Sequence, residues 1–150
     1  MTTDQRLKLI AEDPADLTVL AACLQDALVP VSDMAWLKDE GRFALAVNRF
    51  MWERPAEPAG TSGEVYHRTH ALVRIDGVKA VRSRGYDRRD RSRILSLLSV
   101  RPVDGGVDFV FSDDAVLRIE ADPLAIALVD MGDPWPTRWK PGHEGGEAEG

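Results

Sequence analysis

The chain has 150 residues, 44% of them hydrophobic and 29% charged, with a formal net charge of −6. That length suits one domain with its own core, and the single cysteine, Cys23, excludes an intramolecular disulfide or a multi-cysteine zinc site. An acidic chain is a poor general coat for nucleic acid, no run approaches the ~18 apolar residues of a membrane span, and the N-terminus lacks a secretory apolar core, so a cytoplasmic protein is expected.

In chain order, LKLIAED (7–13) places Leu7, Leu9 and Ala11 on one parity and predicts a half-buried strand. A helix start follows: Asp13 can cap, Pro14 fits the first helical position, and Asp16 favours the positive helix end. Leu17, Leu20, Ala21, Leu24 and Leu28 recur at helical spacing, with Pro30 as the stop. DMAWL and RFALAVNRFMW flank Asp39-Glu40-Gly41 and predict a hairpin. Residues 53–63 are rich in Pro, Gly and Ala and read as an exposed loop.

EVYHRTHALVRI and VKAVRSR flank Asp76-Gly77, a strong hairpin signal. RILSLLSVR, VDFVF and AVLRIE predict three more strands, joined by turns at 103–106 and 112–114. Asp122-Pro123 repeats the cap chemistry of Asp13-Pro14 and predicts a second helix through Leu124, Ala127, Leu128 and Met131, ending at Gly132. The fold class expected is therefore α+β: an antiparallel, bent or barrel-like sheet of about seven to eight strands with two helices packed on it. Residues 1–132 form the domain, and 133–150 a Pro/Trp strap with a disordered acidic tail.

The strings DLTVLAACLQDALV, DMAWL, RFALAVNRFMWE and KAVRSRGYDR with RILSLLSVRP resemble an uncharacterised bacterial family, Domain-of-Unknown-Function family 2948, across residues 7–132. The resemblance implies a small stand-alone cytoplasmic domain. It carries no activity, cofactor or catalytic residue to transfer.

Candidate chemistry centres on Val78 to Arg93, where seven basic residues stand against Asp87 and Asp90. That stretch carries +5, so the remainder carries −11. Arg82 and Arg84 share a strand face, and Arg88, Arg89, Arg91 and Arg93 follow a bend at Gly85-Tyr86-Asp87. Two readings stay open: Arg82, Arg84, Tyr86, Arg88 and Arg89 grip an anion or an acidic partner, or these arginines are paired internally with carboxylates. Nucleic acid is the disfavoured partner, and no membrane, metal or cofactor is expected.

His67 and His70 are the closest histidine pair, but on a strand they point to opposite faces. Cys23 has no base near it in sequence and reads as a half-buried structural thiol. Trp135 and Trp139 form an aromatic strap that either packs on its own domain or anchors a partner. The leading expectation is a small non-catalytic binding or interaction domain. The alternative is an enzyme or small-ligand protein using His67, His70 and nearby carboxylates.

Overall fold

The structure, a computed structural model, describes residues 6–58 and 63–141. Its elements are β1 (Lys8–Ala11), α1 (Pro14–Leu24), β2 (Leu28–Pro30), β3 (Met34–Leu37), β4 (Arg42–Phe50), β5 (Glu57–Pro58), β6 (Glu64–Arg84), β7 (Ile94–Val103), β8 (Gly106–Phe111), β9 (Val116–Asp130) and β10 (Trp135–Thr137). Short 3-10 turns span Val31–Asp33 and Lys38–Glu40.

Strands β9, β8, β7, β2, β4 and β6 hydrogen-bond in that order, and β6 returns to β9, closing a six-stranded antiparallel barrel. Closure satisfies backbone groups that an open sheet would leave on its edges. β1 extends the second half of β9, β10 lies along the start of β6, and β3 continues down β4 where β2 ends. Period-two alternation fills the interior: Phe43, Leu45 and Val47 from β4, Ala71, Val73 and Ile75 from β6, and Phe109, Leu117, Ile119, Ile126 and Leu128 from β8 and β9 are all buried. α1 adds Leu17, Leu20 and Leu24 to the same core.

The first helix starts as expected. The Asp13 carboxylate accepts from the Asp16 N–H at 2.8 Å, and Pro14 opens the first turn. It stops earlier than Pro30, because Asp26 takes a left-handed conformation (φ 63°) and turns the chain into β2, which removes Leu28 from the helical face.

The α+β assignment with two helices is wrong. α1 is the single α-helix among the described residues, and the segment read as a second helix is the latter half of β9. Ile126, Leu128 and Asp130 point inward on alternate positions, while β1 and β6 occupy the two edges of this segment. Short apolar runs fit either period, and two available partner strands decide for extension.

Asp76-Gly77 is likewise not a hairpin turn. β6 runs unbroken from Glu64 to Arg84. Gly77, at φ 70°, forms a bulge opposite residues 122–124, since Asp76 pairs with Ala125 and Val78 with Ala121. Pro123 sits in that irregularity, where its missing N–H costs no ladder bond. The helix-cap and hairpin signals thus lie opposite each other and mark where two long strands bend around the barrel.

The remaining strands follow the expected hairpins: β3–β4 through Lys38–Glu40, β7–β8 through Asp104-Gly105, and β8–β9 through the turn at 112–114. The strap supplies β10. The acidic tail beyond residue 141 and part of the loop at 53–63 lie outside the described residues.

Candidate anion-binding site

The basic stretch is divided between two places. Arg82 and Arg84 end β6 and point outward, as parity requires. Register places Arg82 beside Arg118 of β9, Arg118 beside Asp108 of β8, and Asp108 beside Arg101 of β7, so these four share one outer row of the barrel wall. Like charges directly opposite each other in a sheet are unfavourable, and two carboxylates offset them. Asp108 accepts from Arg118 Nε at 2.7 Å and from Nη2 at 2.8 Å, and Glu120 pairs with Arg82 at 2.9 Å. The bonds to Asp108 raise the Arg118 pKa. Arg101 donates only to Ser99 Oγ, and Arg84 has no carboxylate partner among the described residues. Sequence reasoning missed Arg101 and Arg118. Hairpin register across β7, β8 and β9 was the signal that would have found them.

The loop 85–93 forms the second place. Gly85, at φ 81°, runs against the 112–115 turn so closely that a Cβ there would lie 2.5 Å from the Asp114 carbonyl. Tyr86 is buried rather than presented to a ligand. Its ring meets Phe111 edge-on at 6.2 Å, its hydroxyl lies 3.7 Å from Met34 Sδ, and burial raises its pKa.

The loop's own carboxylates are occupied by its backbone. Asp87 accepts from the Arg89 N–H at 2.9 Å, which lowers its pKa, and Asp90 accepts from the Ser92 N–H at 3.2 Å and also from Ser92 Oγ at 2.8 Å. Arg89 pairs with Asp87 at 3.3 Å. Arg91 donates to the Ser32 carbonyl at 2.9 Å, and Arg93 to the Gly85 carbonyl at 3.3 Å. Arg88 has no carboxylate partner among the described residues.

Arg88 and Arg91 stand over a pocket of about 290 Å³ lined otherwise by Val31, Met34, Trp36 and Phe43. Val31 and Phe43 are fully buried, Met34 and Trp36 half-buried, and the Trp36 and Phe43 rings lie 6.4 Å apart. The pocket lies between β3, whose one strand partner is β4, and the loop that follows β6. Among the described residues no carboxylate lines it.

The other sequence candidates do not converge. His67 and His70 take opposite faces of β6: His67 Nδ1 is buried without a hydrogen-bond partner among the described residues, and His70 is exposed against Trp135 with ring centroids 4.7 Å apart. Trp135 is held in β10 against Arg68 of β6, while Trp139 stays half-exposed beyond it. Among the described residues no three His, Cys, Asp or Glu side chains are grouped to hold a metal, and no helix is long and apolar enough to cross a membrane.

Cys23 lies beside a charged group that the sequence did not reveal. Arg49, pointing into the barrel from β4, is fully buried and bridges Asp130 and Glu53. Burial raises the Cys23 pKa, so its thiol is protonated near neutrality.

A search of curated proteins and a search of solved structures each returned no match to this chain. The family model described as "Protein of unknown function (DUF2948)" matches residues 7–143, which extends the resemblance through the strap. With most of its length matched, the chain belongs to that family, which is defined by sequence and has no assigned activity.

Proposed function

We propose that this protein is a non-catalytic cytoplasmic binding domain that holds a small organic anion in the pocket between β3 and the loop 85–93. The ligand class is a carboxylate, sulfonate or phosphate carried on a flat apolar body. The observation that carries the reading is Arg88 and Arg91 over an apolar, aromatic-walled floor with no acidic residue in its lining among the described residues. Guanidinium groups suit oxyanions, and apolar pockets with a few placed polar groups are the usual form of small-molecule sites. The pocket size, about 290 Å³, is near the lower end for such sites. Tyr86 anchors the loop in the core, so little ordering is needed on binding.

The test is a titration with naphthoate, read by the Trp36 indole N–H in a proton–nitrogen correlation spectrum. A saturable shift of that signal is expected, with uncharged naphthalene methanol binding about tenfold more weakly, as loss of a charge-assisted hydrogen bond implies. Arg88→Gln and Arg91→Gln should each weaken binding by a similar factor, and Arg74→Gln should not. No shift with naphthoate, or equal binding of the alcohol, sinks the reading.

A further inference from the structure

β7 covers the edge of β2 that faces away from β4, with Val29 opposite Leu95 and Pro30 opposite Ile94. β7 begins at Ile94, and β3 continues past that point. β3 therefore has β4 on one edge and no strand on the other among the described residues. In an antiparallel pair, alternate residues turn their N–H and C=O groups away from the partner strand. Among the described residues, Ala35, Trp36 and Leu37 make no backbone bond outside the β3–β4 ladder. Such an edge is a template for a further strand.

The groove along this edge is closed at one end. The Val31 N–H donates to the Arg93 carbonyl at 2.9 Å, Arg91 donates to the Ser32 carbonyl at 2.9 Å, and the Tyr86 hydroxyl meets Met34 Sδ at 3.7 Å. These contacts shut the Met34 end under the loop 85–93. At the other end, Trp36 lines both the anion pocket and a second hollow of about 360 Å³ that it shares with Leu37 and the 3-10 turn Lys38–Glu40. Leu37 and that turn are exposed.

We propose that β3 accepts the C-terminal segment of a partner protein as an added antiparallel strand, ending in an aromatic residue with a free α-carboxylate. This rests on the reading of the pocket as an anion site and names what carries the anion. Three observations select the occupant. A groove closed at Met34 admits a chain end, whereas an internal segment has to continue through the loop. Arg88 and Arg91 at that closed end attract a carboxylate and repel an α-ammonium, which sets the C-terminus there and the strand antiparallel to β3. Adjacent side chains of a strand take opposite faces. An aromatic residue in the pocket therefore has its neighbour's side chain on the far side, and its own α-carboxylate is the anion nearest its ring.

The probe is the peptide acetyl-Ser-Thr-Val-Thr-Phe, titrated into isotope-labelled protein and followed by the Trp36 indole N–H and by amide hydrogen exchange. The free acid should bind and slow exchange at one or more of Ala35, Trp36 and Leu37. Naphthoate should shift Trp36 without that slowing. The C-terminal carboxamide should bind about tenfold more weakly, and a version extended past the phenylalanine by Gly-Ser should weaken at least as much. N-methylation of the valine, and separately of the threonine after it, should weaken binding at one position and not the other, because only alternate residues bond β3. Naphthoate binding without peptide binding overturns this proposal and leaves the pocket reading intact; failure of both ligands overturns both. Peptide binding that the carboxamide or the extended version matches, that slows no exchange in β3, or that ignores both methylations also overturns the proposal.

Discussion

Arg49 and Asp130, 81 residues apart, form a buried two-pronged ion pair inside the barrel: Arg49 Nε donates to Asp130 Oδ1 at 2.8 Å and Nη2 donates to Oδ2 at 2.9 Å. Glu53 takes two further bonds from the same guanidinium at 2.7 and 3.0 Å, and Asp130 also accepts from the Leu7 N–H at 3.0 Å. One arginine thus ties β4 to the end of β9 and to the turn after β4, while Asp130 ties in the residue preceding β1. Burial works against the Arg49 charge, but its hydrogen bonds to Asp130 and Glu53 outweigh it and raise the pKa.

Breaking this pair from one side should be costly, because the surviving charge stays in the interior. Arg49→Met, which leaves the buried Asp130 carboxylate with the Leu7 N–H in place of a counter-charge, is expected to lower unfolding free energy by about 3–5 kcal/mol, measured by urea denaturation. The double variant Arg49→Met/Asp130→Ala should cost less than the sum of its two single changes. Strict additivity would show that the two side chains do not stabilise each other.

Glu53 gives the group a pH dependence. Burial raises its pKa, but the hydrogen bonds from Arg49 and from its own backbone outweigh that, and the net value falls below the ordinary 4.5. A folded-state pKa below the unfolded one contributes stability that is complete above the unfolded value and is lost as pH falls through the folded one. The urea midpoint should therefore decline below about pH 4.5, and Glu53→Gln should flatten part of that decline. An identical acid limb in the variant would remove Glu53 from the account.

Cys23 should be a slow thiol. Burial raises its pKa above the ordinary 9.0, with Glu53 and Asp130 adding to the rise and Arg49 opposing it. Iodoacetamide should label the folded chain far more slowly at neutral pH than the unfolded one, since the thiolate is the reacting species. The midpoint of the pH–rate profile should lie above 9.0. Rapid labelling at neutral pH would contradict the buried setting.

On the barrel wall, Asp108→Asn leaves Arg118 and Arg82 opposed without the carboxylate that offsets Arg118. A loss of about 1 kcal/mol is expected from the cross-strand pairing, readable as a lower melting temperature. Sulfate in the buffer should restore part of it in the variant more than in the wild type. Equal sulfate effects in both would show that the opposed arginines are indifferent to the missing carboxylate.

Much of the chain was legible locally. Asp13-Pro14 starts α1 because the cap and the proline act within one turn, and the hairpins of β3–β4, β7–β8 and β8–β9 follow from alternation around short polar turns. The family strings carried the resemblance without any structure. The basic stretch was also visible, and so was its bend at Gly85.

What sequence alone left undecided is where chemically similar signals have different partners. Asp122-Pro123 suits a helix start as well as Asp13-Pro14 does, but residues after it find β1 and β6 on either edge, and those ladder bonds select a strand. Gly77 supplies a positive φ that fits a hairpin turn or a bulge, and the bend of β9 opposite it selects the bulge. The arginines divide in the same way: composition counts their charge, but only the fold sets Arg82 against Glu120, joins Arg101 and Arg118 to their row, and leaves Arg88 over Trp36. Charge is a property of each residue, whereas neutralisation depends on distances of a few ångströms between residues far apart in the chain, and barrel closure sets those distances.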